Sequence, residues 1–191
     1  MKKILAILAI VLFAGTAMAQ QEELSFERKQ AIDSLALEKV RDLSKYIKIV
    51  GSKETVWSEA NRVIDRAEEL FMTNAEIGVS SIASNNIKYY KVRPYFEHLM
   101  RLNYDRVEIE WYNIEYVSNL QRQPDGTYVG VITIFQTFRG YDKEGQLAYK
   151  DTTKKDITVY VKRKETQIGG HMIGFWDVML GDMRVKETTN K

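Results

Sequence analysis

Residues 127–163 constrain this chain more than any other stretch. They comprise an extended run over 127–139, a loop over 140–145 and a second extended run ending at Lys162 and Arg163. Two β-branched and aromatic runs around a short glycine-containing loop predict a hairpin, with Asp142, Lys143, Glu144 and Gly145 supplying the turn chemistry. Over 128–138 one face carries Tyr128, Ile132, Ile134 and Phe138, and the other carries Val129, Val131 and Phe135. Both faces are largely apolar, so this strand is expected to be central and covered on two sides.

The chain opens with Met1, Lys2 and Lys3, an apolar run over 4–14, and small residues at Ala17 and Ala19 before Gln20. A short basic head, an apolar segment and small residues predict a secretory signal peptide at 1–19, cleaved after Ala19. The apolar run falls short of the roughly 20 residues that span a bilayer, so the mature chain is expected to carry no transmembrane segment. Removing Lys2 and Lys3 lowers the 28 Lys and Arg of the sequence to 26, against 26 Asp and Glu. An exported domain without net charge argues against nucleic acid as a partner. The absence of cysteine excludes disulfides, zinc–thiolate centres, a Cys nucleophile and lipidation on an N-terminal Cys.

Residues 20–30 are mostly polar and are expected to form a flexible tether. From 31 to 50, Ile32, Leu35, Ala36, Val40, Leu43, Ile47 and Val50 recur at helical spacing and predict an amphipathic helix. Gly51 and Ser52 break it, with Ser52 or Thr55 expected to cap a second helix over 54–71. The stripe of that helix, Val56, Trp57, Ala60, Val63, Ile64, Ala67, Leu70 and Phe71, is wide enough to pack on a sheet, with Trp57 in the core. Short strands are expected over 75–82 and 87–92, with a turn at 84–86. Pro94 then suits the first turn of a short third helix over 94–102.

A long strand follows over 105–121. Val107, Ile109 and Trp111 share one phase, whereas Tyr112, Ile114 and Tyr116 share the other. A change of phase exchanges the buried face, which predicts a β-bulge or sharp bend near 111–113. Pro124, Asp125 and Gly126 form a turn into the first hairpin strand. A turn over 166–170, a last strand over 173–185 and a frayed tail at 186–191 complete a single domain over 31–185.

The order of helix, helix, two short strands, short helix and four long strands resembles the nuclear transport factor 2-like (NTF2-like) fold. Residues 59–65 (EANRVID) and the run Phe175, Trp176, Asp177, Val178 look similar to exported members of Gram-negative envelope systems. The resemblance covers about residues 31–185. It implies an α+β fold in which three helices of the N-terminal half pack on a strongly bent, mainly antiparallel sheet shaped as a cone. It also implies a range of functions: isomerases and dehydratases with an acid or base deep in the cone, small-ligand binders and protein-interaction modules.

An isomerase of the ketosteroid type needs a pocket carboxylate as base and a tyrosine or protonated acid as oxyanion donor. Asp177, set among apolar residues of the last strand, is the one candidate base, with Tyr112 and Tyr116 on the bent strand as donors. The same residue types suit a structural role, with Asp177 outward or paired with a strand lysine and the tyrosines half buried. Candidate ligand-lining residues are Tyr112, Tyr116, Phe138, His171 and Trp176. The only two histidines, His98 and His171, lack the close second ligand of a metal motif, and no phosphate loop, dinucleotide fingerprint or serine-hydrolase elbow occurs. No metal or cofactor is therefore expected. Lys150, Lys154, Lys155, Lys162, Arg163 and Lys164 are expected to pair with Glu108, Glu110 and Glu115 across strands or to lie in solvent.

These readings favour a non-catalytic binding or interaction module, exported to the periplasm or outer envelope. It would use the cone pocket for a small apolar ligand, or the outer sheet face for an envelope protein. The alternative is a small lyase or isomerase. A homodimer is also expected, because helices can cover only one face of the central sheet.

Overall fold

The computed structural model describes residues 24–82 and 84–189, apart from the side chains at 84, 85 and 116–118. The expected leader at 1–19 and the start of the tether lie outside the described residues. In chain order the elements are α1 (Phe26–Gly51), α2 (Trp57–Glu68), β1 (Glu76–Ser81), β2 (Ser84–Lys91) and α3 (Val92–Met100). The long strands β3 (Arg106–Arg122), β4 (Tyr128–Tyr141), β5 (Leu147–Ile168) and β6 (His171–Thr189) follow. The six strands form one sheet in the order β2-β1-β6-β5-β4-β3. Every pairing is antiparallel except β1 with β6, where Ile77 lies opposite Met183.

α1 forms because Ile32, Ala36, Val40, Leu43, Ile47 and Val50 give it one buried stripe, and because Ser25 caps its start by accepting from Arg28 N. That cap places the helix start at Phe26, so residues 26–30 of the expected tether are helical. α2 is shorter than its apolar pattern. It begins at Trp57 without a side-chain cap and buries Ala60, Ile64 and Ala67. Ser52 instead receives Glu54 N, while the Thr55 hydroxyl donates back to Ile49 O, so both expected caps serve the end of α1. Trp57 is 58% exposed and not in the core. It occupies the free first position of the helix, a turn before the first packed residue, Ala60. Beyond α2, Leu180 N donates to Leu70 O and Met72 N to Leu180 O, which clips the chain onto β6.

The bend expected in β3 is present. Its register with β4 shifts between Tyr112 and Glu115, and Asn113 between them has φ 48°. Asparagine tolerates this left-handed conformation better than most residues. Val107 and Ile109 are buried before the bulge, and Ile114 packs against the core after it. At the next turn Asp125 accepts from Thr127 N and Oγ1, both at 3.0 Å, beside Gly126 at φ 83°.

On β4 the inward face, with Tyr128, Ile132 and Ile134, is buried as expected. The outer face differs: Val129, Val131 and Phe135 are only half buried. Polar cross-strand bonds take the place of a second apolar layer there. Thr133 Oγ1 donates to Asp156 at 2.6 Å, and the Thr137 and Thr152 hydroxyls lie 3.2 Å apart. The hairpin of β5 and β6 closes on Gly169 and Gly170, both at positive φ, so the turn is tighter than the expected 166–170. From Lys162 to Phe175 every residue is exposed, and this part of the hairpin projects as an arm. The expected frayed tail is instead ladder, since Glu187, Thr188 and Thr189 pair with Lys154, Thr153 and Thr152.

Candidate functional site

Inside the cone, between α3, β1 and the inner faces of β3 to β5, lies a cavity of about 240 Å³. Its walls are largely apolar, from Leu99, Leu102, Ile109 and a row of aromatic rings. The row runs from Tyr104 to Phe138 (centroids 5.7 Å apart) and on to Tyr149 (5.9 Å). Tyr104 lies directly on Gly140, where an added Cβ would sit 2.5–2.7 Å from its ring. A Gly140→Ala substitution should displace that ring and cost about 1–3 kcal/mol by overpacking, read as a lower urea midpoint.

The polar end of the cavity comes from β5. Tyr149, Asp151, Thr153 and Lys155 share the inward phase that continues through Ile157, Val159 and Val161. Asp151 is 4% exposed and Lys155 2% exposed. The Tyr149 hydroxyl donates to Asp151 Oδ2 at 2.6 Å and accepts from Ile82 N at 3.1 Å, with Ser81 Oγ 2.9 Å away. Burial pushes the Asp151 carboxyl above the usual carboxylate range, opposed by the Tyr149 bond and the Lys155 charge. Burial also pushes the Lys155 amine down to about 8, with Asp151 acting against the shift.

Among the described residues, Lys155 makes one hydrogen bond, to Gln136 Oε1 at 3.4 Å, and that oxygen also accepts from Trp111 Nε1 at 3.1 Å. An ammonium has three donors, so two of its N–H groups have no acceptor among the described residues at this cavity wall. The arrangement can seat a compact apolar body and offer a cation to an acceptor at one end. It can also offer a carboxylate to a donor. No three of His, Cys, Asp or Glu among the described residues converge as metal ligands would.

The residues singled out by sequence are dispersed. Phe138 lines the cavity. Tyr112 is on the outer face, 42% exposed and stacked on Phe135, because the face exchange occurs at Asn113 rather than before it. Tyr116 lies opposite Ile132 by backbone register, and its side chain is outside the described residues. Trp176 packs edge-on against Tyr128 at the far end of β4, and His171 is at the tip of the arm. Asp177 has the phase opposite to buried Val178 and forms an ion pair with Lys164 at 2.5 Å. It occupies the outward, lysine-paired position rather than that of a pocket base. His98, exposed on α3, stacks on Tyr90 and also borders the cavity.

Lys155 and Asp151 carry the site, and neither is among the residues that the sequence singles out for it. Lys155 is buried rather than solvated or paired across strands with a glutamate. Its neighbours differ: Lys154 rests over Phe135 and Lys164 pairs with Asp177. The strand glutamates pair instead with arginines, Arg139 with Glu110 and Arg106 with Glu108. The signal available was alternation, because a strand that buries Ile157, Val159 and Val161 also points Lys155, Thr153 and Asp151 inward.

No family model and no curated protein matches the chain. Among solved structures, it is similar to a candidate scytalone dehydratase from Novosphingobium aromaticivorans DSM 12444. The identity is 12% and the TM-score 0.43, over 86% of this chain and 91% of that one. It is also similar to a type 2 hexachlorocyclohexane dehydrochlorinase (LinA), at 14% identity and TM-score 0.41, over 85% of this chain and 91% of that one. The architecture follows from this chain's own topology: three helices on the concave face of a sheet bent at Asn113. It is the arrangement that the resemblance to the NTF2-like fold implies. At such identities and TM-scores the two enzymes carry no argument about a reaction, and the chemistry rests on the side chains in this cone.

Proposed function

We propose that this NTF2-like chain is a small-molecule binder. Its cone takes a compact apolar molecule bearing one oxyanion, with the anion on Lys155 and a donor group of the ligand toward Asp151. The observation that carries this reading is the buried Lys155 ammonium, which faces an apolar cavity with a single long hydrogen bond. Burial of this cation outweighs the pull of Asp151, and an oxyanion in the cavity would supply a second counter-charge. The volume of about 240 Å³ is at the small end for a ligand site, which favours a ligand of one or two rings.

Isothermal titration of the full chain with naphthalene sulfonate, an apolar bicycle with one anionic group, tests the reading. One-to-one binding is expected, weakened at least roughly ten-fold by Lys155→Met, as for a charge-assisted hydrogen bond. Affinity should also fall as pH rises through the Lys155 value of about 8, where the cation is lost. Equal binding by Lys155→Met would overturn the proposal.

One observation favours catalysis as a second reading. Asp151 is a carboxyl raised by burial beside an apolar space, which is the environment of a general base or acid. The Tyr149 hydroxyl already donates its hydrogen bond to Asp151, so Lys155 would be the oxyanion stabiliser of such a lyase or isomerase. Turnover of a β,γ-unsaturated cyclic ketone, abolished by Asp151→Asn while naphthalene sulfonate still binds, would select this reading. In either case the leader at 1–19 would export the chain to the periplasm or outer envelope, and a homodimer would form over the half-exposed outer face.

A further inference from the structure

Lys155 is placed for covalent chemistry as well as for charge. Its side chain, 2% exposed, is part of the cavity wall, and its one hydrogen bond among the described residues runs 3.4 Å to Gln136 Oε1. That oxygen also accepts from Trp111 Nε1 at 3.1 Å, so it stays partnered when the amine engages something else. Among the described residues no second lysine or arginine lines the cavity, and no other amine competes for a molecule inside it. His98, exposed on α3, borders the cavity and marks the side on which it reaches the surface. The neutral amine is the nucleophile, and burial favours it. With the value held at about 8, roughly a tenth of the amines are neutral at pH 7, against fewer than about one in a thousand at the ordinary 10.5. A lysine desolvated in an apolar pocket is thereby activated toward carbonyl compounds. Asp151 lies two inward positions before Lys155 on β5, and each group acts on the charge of the other.

We propose that Lys155 forms an imine with an aromatic aldehyde of one or two rings held in the cone. The proposal rests on the reading of the cone as a small-molecule site and adds to it a covalent class of ligand, taken by the minority of chains whose amine is neutral. Lys155 Nζ attacks the carbonyl carbon, and the C–N bond forms as the π pair moves to oxygen. One amine proton then passes to that oxygen, giving a carbinolamine. The C–O bond breaks, the nitrogen lone pair closes the C=N bond, and the oxygen leaves with the second amine proton as water. Asp151, whose carboxyl burial holds above the usual carboxylate range, is the acid–base group at hand to relay these protons. The rings of Tyr104, Phe138 and Tyr149 suit an aryl group, and about 240 Å³ admits one or two rings. Exclusion of water from an apolar cavity protects the imine from hydrolysis.

Incubating the full chain at about pH 7 with 2-naphthaldehyde and sodium cyanoborohydride, which reduces an imine to a stable secondary amine, tests the proposal by intact mass and peptide mapping. Lys155 should be labelled at least roughly ten-fold faster than any other lysine. Lys155→Met should lose this adduct, and Asp151→Asn should slow it at least roughly ten-fold, as loss of acid–base assistance does. The α-amino group, which ordinarily titrates at about 8, is the internal control. Naphthalene sulfonate at about ten times its Kd should slow labelling of Lys155 roughly ten-fold and leave the α-amino group as reactive as before. Lys155 left unlabelled while naphthalene sulfonate binds would overturn the imine and leave the binding site standing. So would labelling spread evenly over the lysines, or an adduct that Lys155→Met retains. Labelling of Asp151→Asn at the parent rate would overturn the part assigned to Asp151. If neither compound engages Lys155, the reading of the cone as a small-molecule site falls, and this proposal with it.

Discussion

Lys155→Met should stabilise the fold at neutral pH by about 1–3 kcal/mol, an unusual outcome for a buried substitution. The folded chain holds the amine at about 8, below its ordinary 10.5. Below both values the amine is charged in the folded and unfolded states alike, and the full burial penalty is present. Between them the unfolded chain binds more protons, so raising the pH through this window adds stability, by up to about 3 kcal/mol in all. Asp151 reduces the gain in the variant, because without the lysine its carboxyl is pushed further up and loses a favourable charge partner. Methionine fills a similar volume, and Gln136 keeps its bond from Trp111. Urea unfolding at neutral pH and at about pH 9.5 measures both effects. The parent should gain stability between those conditions relative to the variant. A parallel pH response in the two would show that the amine is not desolvated.

The largest loss is expected from Phe96→Ala. Phe96 on α3 is fully buried and meets Tyr95 edge-to-face at 5.3 Å. Truncating a buried phenylalanine costs about 3–5 kcal/mol, which is much of the 5–15 kcal/mol that holds a typical domain. The effect should reach the site, because Tyr95 and Leu99 on the same helix line the cone cavity. Denaturant midpoints should collapse toward marginal stability, and naphthalene sulfonate affinity should fall with them. A loss below about 1 kcal/mol would mean that α3 packs more loosely than the fold implies.

Much of the architecture was legible because its determinants are local. Ile32 through Val50 write a helical stripe, and the phase change after Trp111 announced the bulge that gives the sheet its bend. Termini were harder, since capping and ladder partners decide them. Ser25 extends α1 into the expected tether, and strand β5 holds the expected tail. Trp57 was misplaced because periodicity tells which face a residue is on, but not whether the neighbouring structure extends that far. At the site, residue type and phase point in opposite directions. Lys155 reads as surface by composition and as core by alternation, and its burial beside Asp151 follows the alternation.

The bulge at Asn113 has a consequence for how the cone's shape could change. Two residues, Asn113 and Ile114, occupy the space opposite Ile134, between the pairs Tyr112 with Phe135 and Glu115 with Thr133. Removing Asn113 would therefore leave Trp111 and Ile114 on their present inward face and Tyr112 and Glu115 on their present outward one. The kink at this point would go, while the hydrophobic pattern and the two later shifts of register, between Tyr116 and Ser118 and between Ser118 and Gln121, would stay. The bulge is therefore separable from the residues of β3 that face the core on either side of it.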